Sequence, residues 1–78
     1  HRAVAEFVVG VGSALDGALV REIPWPKDSL LVNVRRGESE MVPRGDLRLS
    51  AGDFLYVLIE DRDIAALQAA AEPEKGDT

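Results

Sequence analysis

Pro43–Leu58 reads PRGDLRLSAGDFLYVL, and the reading of this stretch decides the fold. Gly-Asp occurs twice in it, at Gly45-Asp46 and Gly52-Asp53. Three readings compete. Arg44-Gly45-Asp46 is a tripeptide that adhesion proteins present to their receptors. Asp46 and Asp53 are a pair of carboxylates that could hold a divalent ion. Or both Gly-Asp pairs are tight turns that frame strands. Glycine and aspartate are turn residues for separate reasons: one tolerates positive φ, and the other accepts backbone N–H bonds from its own neighbourhood. No EF-hand spacing is present, and the acids fall on different turns. We therefore read turns, with Asp46 and Asp53 structural and no metal bound. Phe54–Ile59 (FLYVLI) follows the second turn. It is apolar on both faces, which predicts a central strand.

Working back from this stretch, Ser39–Pro43 reads as a strand. Pro43 cannot donate to a ladder and marks a strand end or an edge. Gly37-Glu38 turns the chain, and Leu30–Arg36 (LLVNVRR) alternates ahead of it. Leu30, Val32 and Val34 share one face, and Leu31, Asn33 and Arg35 the other. Arg35 and Arg36 then point to opposite faces. One of them either clamps a phosphate or carboxylate beside Val32 and Val34 or is a strand-end charge facing water. Ser13–Glu22 (SALDGALVRE) is predicted as a short helix, with Ser13 as N-cap and Asp16 near its positive end. Gly17 inside it points to close approach of a neighbouring backbone. Pro24 and Pro26 stop that helix. Ala3–Val9 is a first strand ending at Gly10 and Gly12. The Gly10-x-Gly12 pair does not make a nucleotide loop, because Leu15 stands where the fingerprint needs a third glycine.

Working forward, Asp61 opens a last helix, Asp61–Ala71, with apolar residues at helical spacing. Residues 72–78 are a polar, fraying tail. The expected fold class is α+β, a small mixed or antiparallel sheet with two helices in the order β-α-β-β-β-α. One domain spans 1–78, with its core over about 3–71.

Composition narrows the function. The chain has 78 residues, 46% of them apolar, no cysteine and a net charge of −5. A phosphate-neutralising face needs the opposite balance, so nucleic acid is excluded as a partner. No apolar run approaches the ~20 residues of a membrane-spanning helix. Absence of cysteine fits a reducing compartment. The single histidine is His1, and no serine has a neighbouring base. No catalytic residue, metal site or cofactor is assigned, and the chain is read as a non-enzyme. The apolar content is generous for so small a core, which suggests burial against another copy. His1 in place of Met suggests a piece of a longer protein.

Two segments carry a resemblance. GSALDGALVREIPWP (Gly12–Pro26) resembles the loop and helix of the TrkA C-terminal domain, the C-terminal domain of the regulators of potassium conductance. LLVNVRRGESEMVPRGDLRLSAGDFLYVL (Leu30–Leu58) is similar to that family's core signature: a strand ending in arginine, a hairpin ending in proline, two Gly-Asp turns and a hydrophobic strand. The likeness runs from about Val4 to Leu67. It implies a cytosolic module of a bacterial inner-membrane channel or transporter of potassium, of cations against protons, or of chloride. It also implies a homodimer. Some members bind cyclic di-AMP between protomers, so the resemblance implies that ligand or a similar small anion. Val32, Val34, Arg36 and Pro43 are the positions that match. The alternative is a purely structural dimerisation domain without ligand. The family's nucleotide-binding glycine loop belongs to a different domain and is not carried over.

Overall fold

A computed structural model describes residues 1–74. The end of the expected tail, residues 75–78, lies outside the described residues.

Four strands form one antiparallel sheet: β1 (Arg2–Val8), β2 (Leu30–Arg36), β3 (Ser39–Met41) and β4 (Phe54–Glu60), in the spatial order β1-β4-β2-β3. The strand expected to be central is flanked on both sides. Its registers run from Arg2↔Glu60 to Val8↔Phe54 against β1, and from Leu30↔Leu58 to Arg35↔Phe54 against β2. Leu55, Val57 and Ile59 point into the core and are fully buried, while Phe54, Tyr56 and Leu58 lie half-buried on the outer face. The inner face is closed by α1 (Ile64–Ala71) and by the connections 9–26 and 44–50, which contribute Leu15, Val20, Ile23, Leu49 and Leu67 to one core. A single 3-10 turn, Asp61–Asp63, leads into α1, so the predicted last helix is present as two joined pieces.

The predicted first helix is replaced. Residues 11–17 form turns, and only Val20–Glu22 is helical, as one 3-10 turn. The backbone groups that a helix would pair internally are bonded to a distant segment. The Gly17 and Val20 N–H groups donate to Leu49 and Leu47 carbonyls at 2.9 Å, and Leu49 N–H donates to Ala18 at 2.9 Å. Leu19 and Arg48 form an isolated bridge. Leu47–Leu49, too short for a strand of its own, finds its partner here. A chain segment cannot give the same N–H to a residue four back and to a residue thirty away.

Three details of that helix change with it. Gly17 stands at φ +83° with no atom within 4 Å of a would-be Cβ, so it supplies a left-handed turn rather than close contact. Asp16 accepts from Gly12 N–H at 2.9 Å and from Ala51 N–H at 3.1 Å, pinning two turns together. Ser13 is buried, with no partner for its hydroxyl among the described residues. Gly10, by contrast, is a site of close approach. Its N–H donates to Ala71 at 2.7 Å, and a Cβ there would lie 2.5 Å from the Pro73 nitrogen. It docks the end of α1 on the end of β1.

β2 also departs from simple alternation. Leu31 faces Val57 and Asn33 faces Tyr56, with Val32 as an extra residue between them. This β-bulge puts Leu31 and Val34 on the inner face and Leu30, Asn33 and Arg35 on the outer face. The predicted grouping of Leu30, Val32 and Val34 is thereby split.

Candidate functional site

The hairpin end of β2 and β3 meets the turn 50–53 through one ion pair. Arg36, the last residue of β2, projects over the turn. Its Nε donates to Asp53 Oδ1 at 2.8 Å and its Nη2 to Asp53 Oδ2 at 2.9 Å. Nη2 also donates to the Arg48 carbonyl at 2.9 Å. Asp53 is 1% exposed, and its Oδ2 accepts a third bond from Ser50 N–H at 2.8 Å. Burial pushes the Asp53 carboxyl up. Hydrogen bonds from Arg36 and Ser50 and the Arg36 charge outweigh it, and the group settles below its ordinary 3.8. Nη1 of Arg36 has no partner among the described residues, so this guanidinium keeps two N–H donors for something outside the chain.

Arg35 turns to the outer face. Its guanidinium lies 4.5 Å from the centre of the Phe54 ring, a cation–π arrangement. Nη2 donates to Tyr56 Oη at 3.3 Å, and Tyr56 Oη donates to Glu6 Oε2 at 3.0 Å. A polar line thus crosses the outer face from β2 to β1. Beside it runs an apolar row, Val4, Leu58 and Leu30, set abreast by the registers of β1, β4 and β2.

The four positions matched by resemblance fall in different settings. Val32 is the bulge residue and half exposed, and Pro43 is partly exposed just beyond β3. Arg36 has 42% of its side chain exposed. Val34 has no exposed surface and serves the core. Sequence reasoning treated Asp53 as a turn residue and did not foresee its bond to Arg36. The available signal was an arginine at the end of β2 with an acid directly before β4. Asp46 is exposed, and its side chain makes no hydrogen bond among the described residues. Among the described residues no three histidines or acids converge as a cation site. A separate groove of about 250 Å³ runs between α1 and residues 14–26, lined by Leu15, Ala18, Ile23, Pro24, Leu67 and Ala70 with Glu22 in its wall.

The family model described as the TrkA-C domain matches residues 4–71. A relative named "Putative Na(+)/H(+) antiporter YjbQ", from Bacillus subtilis (strain 168), is 44% identical over 45 residues. That stretch is 58% of this chain and 7% of the relative, so the chain spans a small part of that relative's length. A solved structure described as "Structure of RCK domain with cda" shares the fold at a TM-score of 0.78. Its identity is 24%, over 90% of this chain and 99% of that one.

Proposed function

We propose, from the premise that the chain belongs to the TrkA-C domain family, that it is a dimeric regulatory module of a membrane ion transporter and that it senses a small anion. The transporter class favoured is a cation–proton antiporter. The observation that carries this is the 44% identity over 45 residues to a stretch of the relative named "Putative Na(+)/H(+) antiporter YjbQ". The domain then sits on the cytosolic side of the parent protein. No helix among the described residues is long and apolar enough to cross a membrane, so the pore or carrier belongs to another part of the parent.

The ligand surface favoured is the rim formed by Arg36, Val32 and Pro43. Arg36 is held in one orientation by Asp53, which lowers the entropic cost of using its remaining donors. A two-fold dimer offers two such guanidiniums, suited to a symmetric anion with two phosphates such as cyclic di-AMP. Ligand binding to one relative orientation of the protomers would bias the attached transporter by population shift. A purely structural dimerisation domain is the second reading. Its support is that three donor bonds of Arg36 are already taken within the chain.

Calorimetric titration with cyclic di-AMP decides between them. The sensing reading expects heat at one ligand per two chains, abolished by Val32→Glu, which sets a carboxylate at the rim without touching the Arg36–Asp53 pair. Absence of heat at millimolar ligand from a dimeric protein leaves the structural reading.

A further inference from the structure

The groove between α1 and residues 14–26 is walled by methyl groups, Ala14 and Ala18 from the connection and Ala66 and Ala70 from α1. Leu15, Ile23 and Leu67, all buried, supply most of its remaining apolar surface. A surface helix normally turns charged residues outward. α1 (IAALQAAA) has none, although Ala65, Ala66 and Ala69 are exposed. One carboxylate stands in this apolar wall. Glu22 is steadied by its own turn, where Oε1 accepts Leu19 N–H at 3.4 Å. Oε2 accepts nothing among the described residues, and no ion pair there uses Glu22. Hydrogen-bond donors are scarce. Pro24 and Pro26 have no N–H, and Ala18 N–H is given to the Leu15 carbonyl. The groove thus offers one unpaired negative charge beside apolar surface, and little that would hold an anion.

We propose that this groove binds a small aliphatic ammonium ion, its hydrocarbon chain between the alanines and its charged end on Glu22 Oε2. An apolar lining with a single placed polar group is the usual build of a small-molecule site. At about 250 Å³ the groove lies just below the roughly 300–1,000 Å³ of pockets for drug-sized ligands, so the occupant is one short chain. Neither half of the site suffices alone. An exposed carboxylate holds a cation weakly. Apolar contact adds about two- to fourfold in affinity for each methylene covered. The chain's net charge of −5 favours the approach of a cation. A neutral compound of the same length gains nothing from the Glu22 charge, and an anion is repelled by it. The bound ion touches α1 and residues 14–26 together, and so ties the last helix to the segment that pairs with residues 45–49. The inference goes beyond the anion reading and does not rest on it, since none of Val32, Arg36 and Pro43 lines the groove.

The probes are n-butylamine, n-pentylamine and n-hexylamine, protonated at neutral pH as a lysine side chain is, with n-hexanol as the uncharged control. Binding is followed by amide chemical shifts in NMR titrations. The shifts are expected to concentrate in residues 14–26 and in α1, with affinity rising about two- to fourfold per added methylene. Hexanol is expected to bind about two- to fivefold more weakly than hexylamine. Glu22→Gln keeps a side-chain oxygen for the Leu19 N–H and is expected to remove that difference while leaving hexanol unchanged. Ala66→Leu places a good helix former at an exposed helix position. It is expected to fold normally and to block both compounds. Equal binding of hexylamine and hexanol by the unsubstituted chain overturns the proposal, as do shifts confined to other residues or no shift at tens of millimolar amine. A change of oligomeric state caused by Ala66→Leu in sedimentation also overturns it, because the groove is then a contact between chains.

Discussion

Arg36 and Asp53, 17 residues apart in the chain, are joined by two parallel bonds of 2.8 and 2.9 Å, one partner nearly half exposed and the other almost wholly buried. This asymmetry sets how each side responds to removal. The carboxylate also carries the Ser50 N–H, so it organises the turn that launches the central strand. The guanidinium is the half that tolerates losing its partner, because solvent takes it up, whereas loss of the guanidinium leaves a buried carboxylate.

Asp53→Ala is expected to cost about 2–3 kcal/mol, the scale of lost hydrogen bonds to a charged group plus an orphaned N–H. Arg36→Ala leaves a buried carboxylate with a single backbone bond and costs a similar amount. The coupling between the two, read from a double-mutant cycle by urea unfolding, is smaller, about 1 kcal/mol, because exposure of the arginine screens the pair. A cost for Asp53→Ala of a few tenths of a kcal/mol would mean that the pair does not hold the turn.

The same carboxylate gives the fold an acid limit. Its folded pKa lies below the ordinary 3.8, so the unfolded chain binds the proton first as pH falls. The stabilisation is fully present above about pH 4–5, where the unfolded group is ionised. It is lost as pH drops through the ordinary carboxylate range toward the lowered folded value. Asp53→Asn is expected to be less stable at pH 7 and to show a flatter fall as pH drops below about 4 than the unsubstituted chain. Parallel pH–stability curves for the two proteins would reject this assignment.

Gly10 locks the last helix to the first strand. A methyl group there meets the Pro73 nitrogen at 2.5 Å, Pro73 Cδ at 2.6 Å and the Ala71 carbonyl at 2.7 Å. None of these is the far end of a flexible side chain, so the relief is movement of the C-terminal end of α1. Gly10→Ala is expected to cost about 1–3 kcal/mol and to raise hydrogen exchange in α1 more than in β4. An unchanged unfolding midpoint would show that the helix end yields freely.

The sheet was legible in the sequence because its signals are local. Phe54–Ile59 is apolar on both faces, the pattern of a central strand, although only its inner face is fully buried. Gly-Asp turns and Pro43 bracket it. What was not legible depends on partners distant in sequence. The LLVNV run satisfies alternation with or without an inserted residue, so nothing in it marks Val32 as a bulge. Asp53 reads as a turn acid until Arg36 is seen beside it. For the candidate site, this means that Arg36 was found as a charged strand end, while the side chain that aims it was not.

Residues 13–22 show the same limit most sharply, and Gly17 tests the outcome by the sign of one substitution. If this segment were a helix, Gly17→Ala would stabilise it by about 1 kcal/mol, since alanine is the better helix former. In the structure Gly17 sits at φ +83° with open space around it. No neighbour has to move for a methyl group, so the effect isolates the backbone. A left-handed conformation costs an alanine about 1–2 kcal/mol. The N–H and C=O of residue 17 are both committed, to the Leu49 carbonyl at 2.9 Å and to Arg48 Nη1 at 2.6 Å, so the backbone cannot turn away to relieve it. Gly17→Ala is therefore expected to lower the denaturant midpoint, by about 1 kcal/mol at unchanged m value. A rise in the midpoint would restore the helix for residues 13–22 and remove their pairing with 45–49.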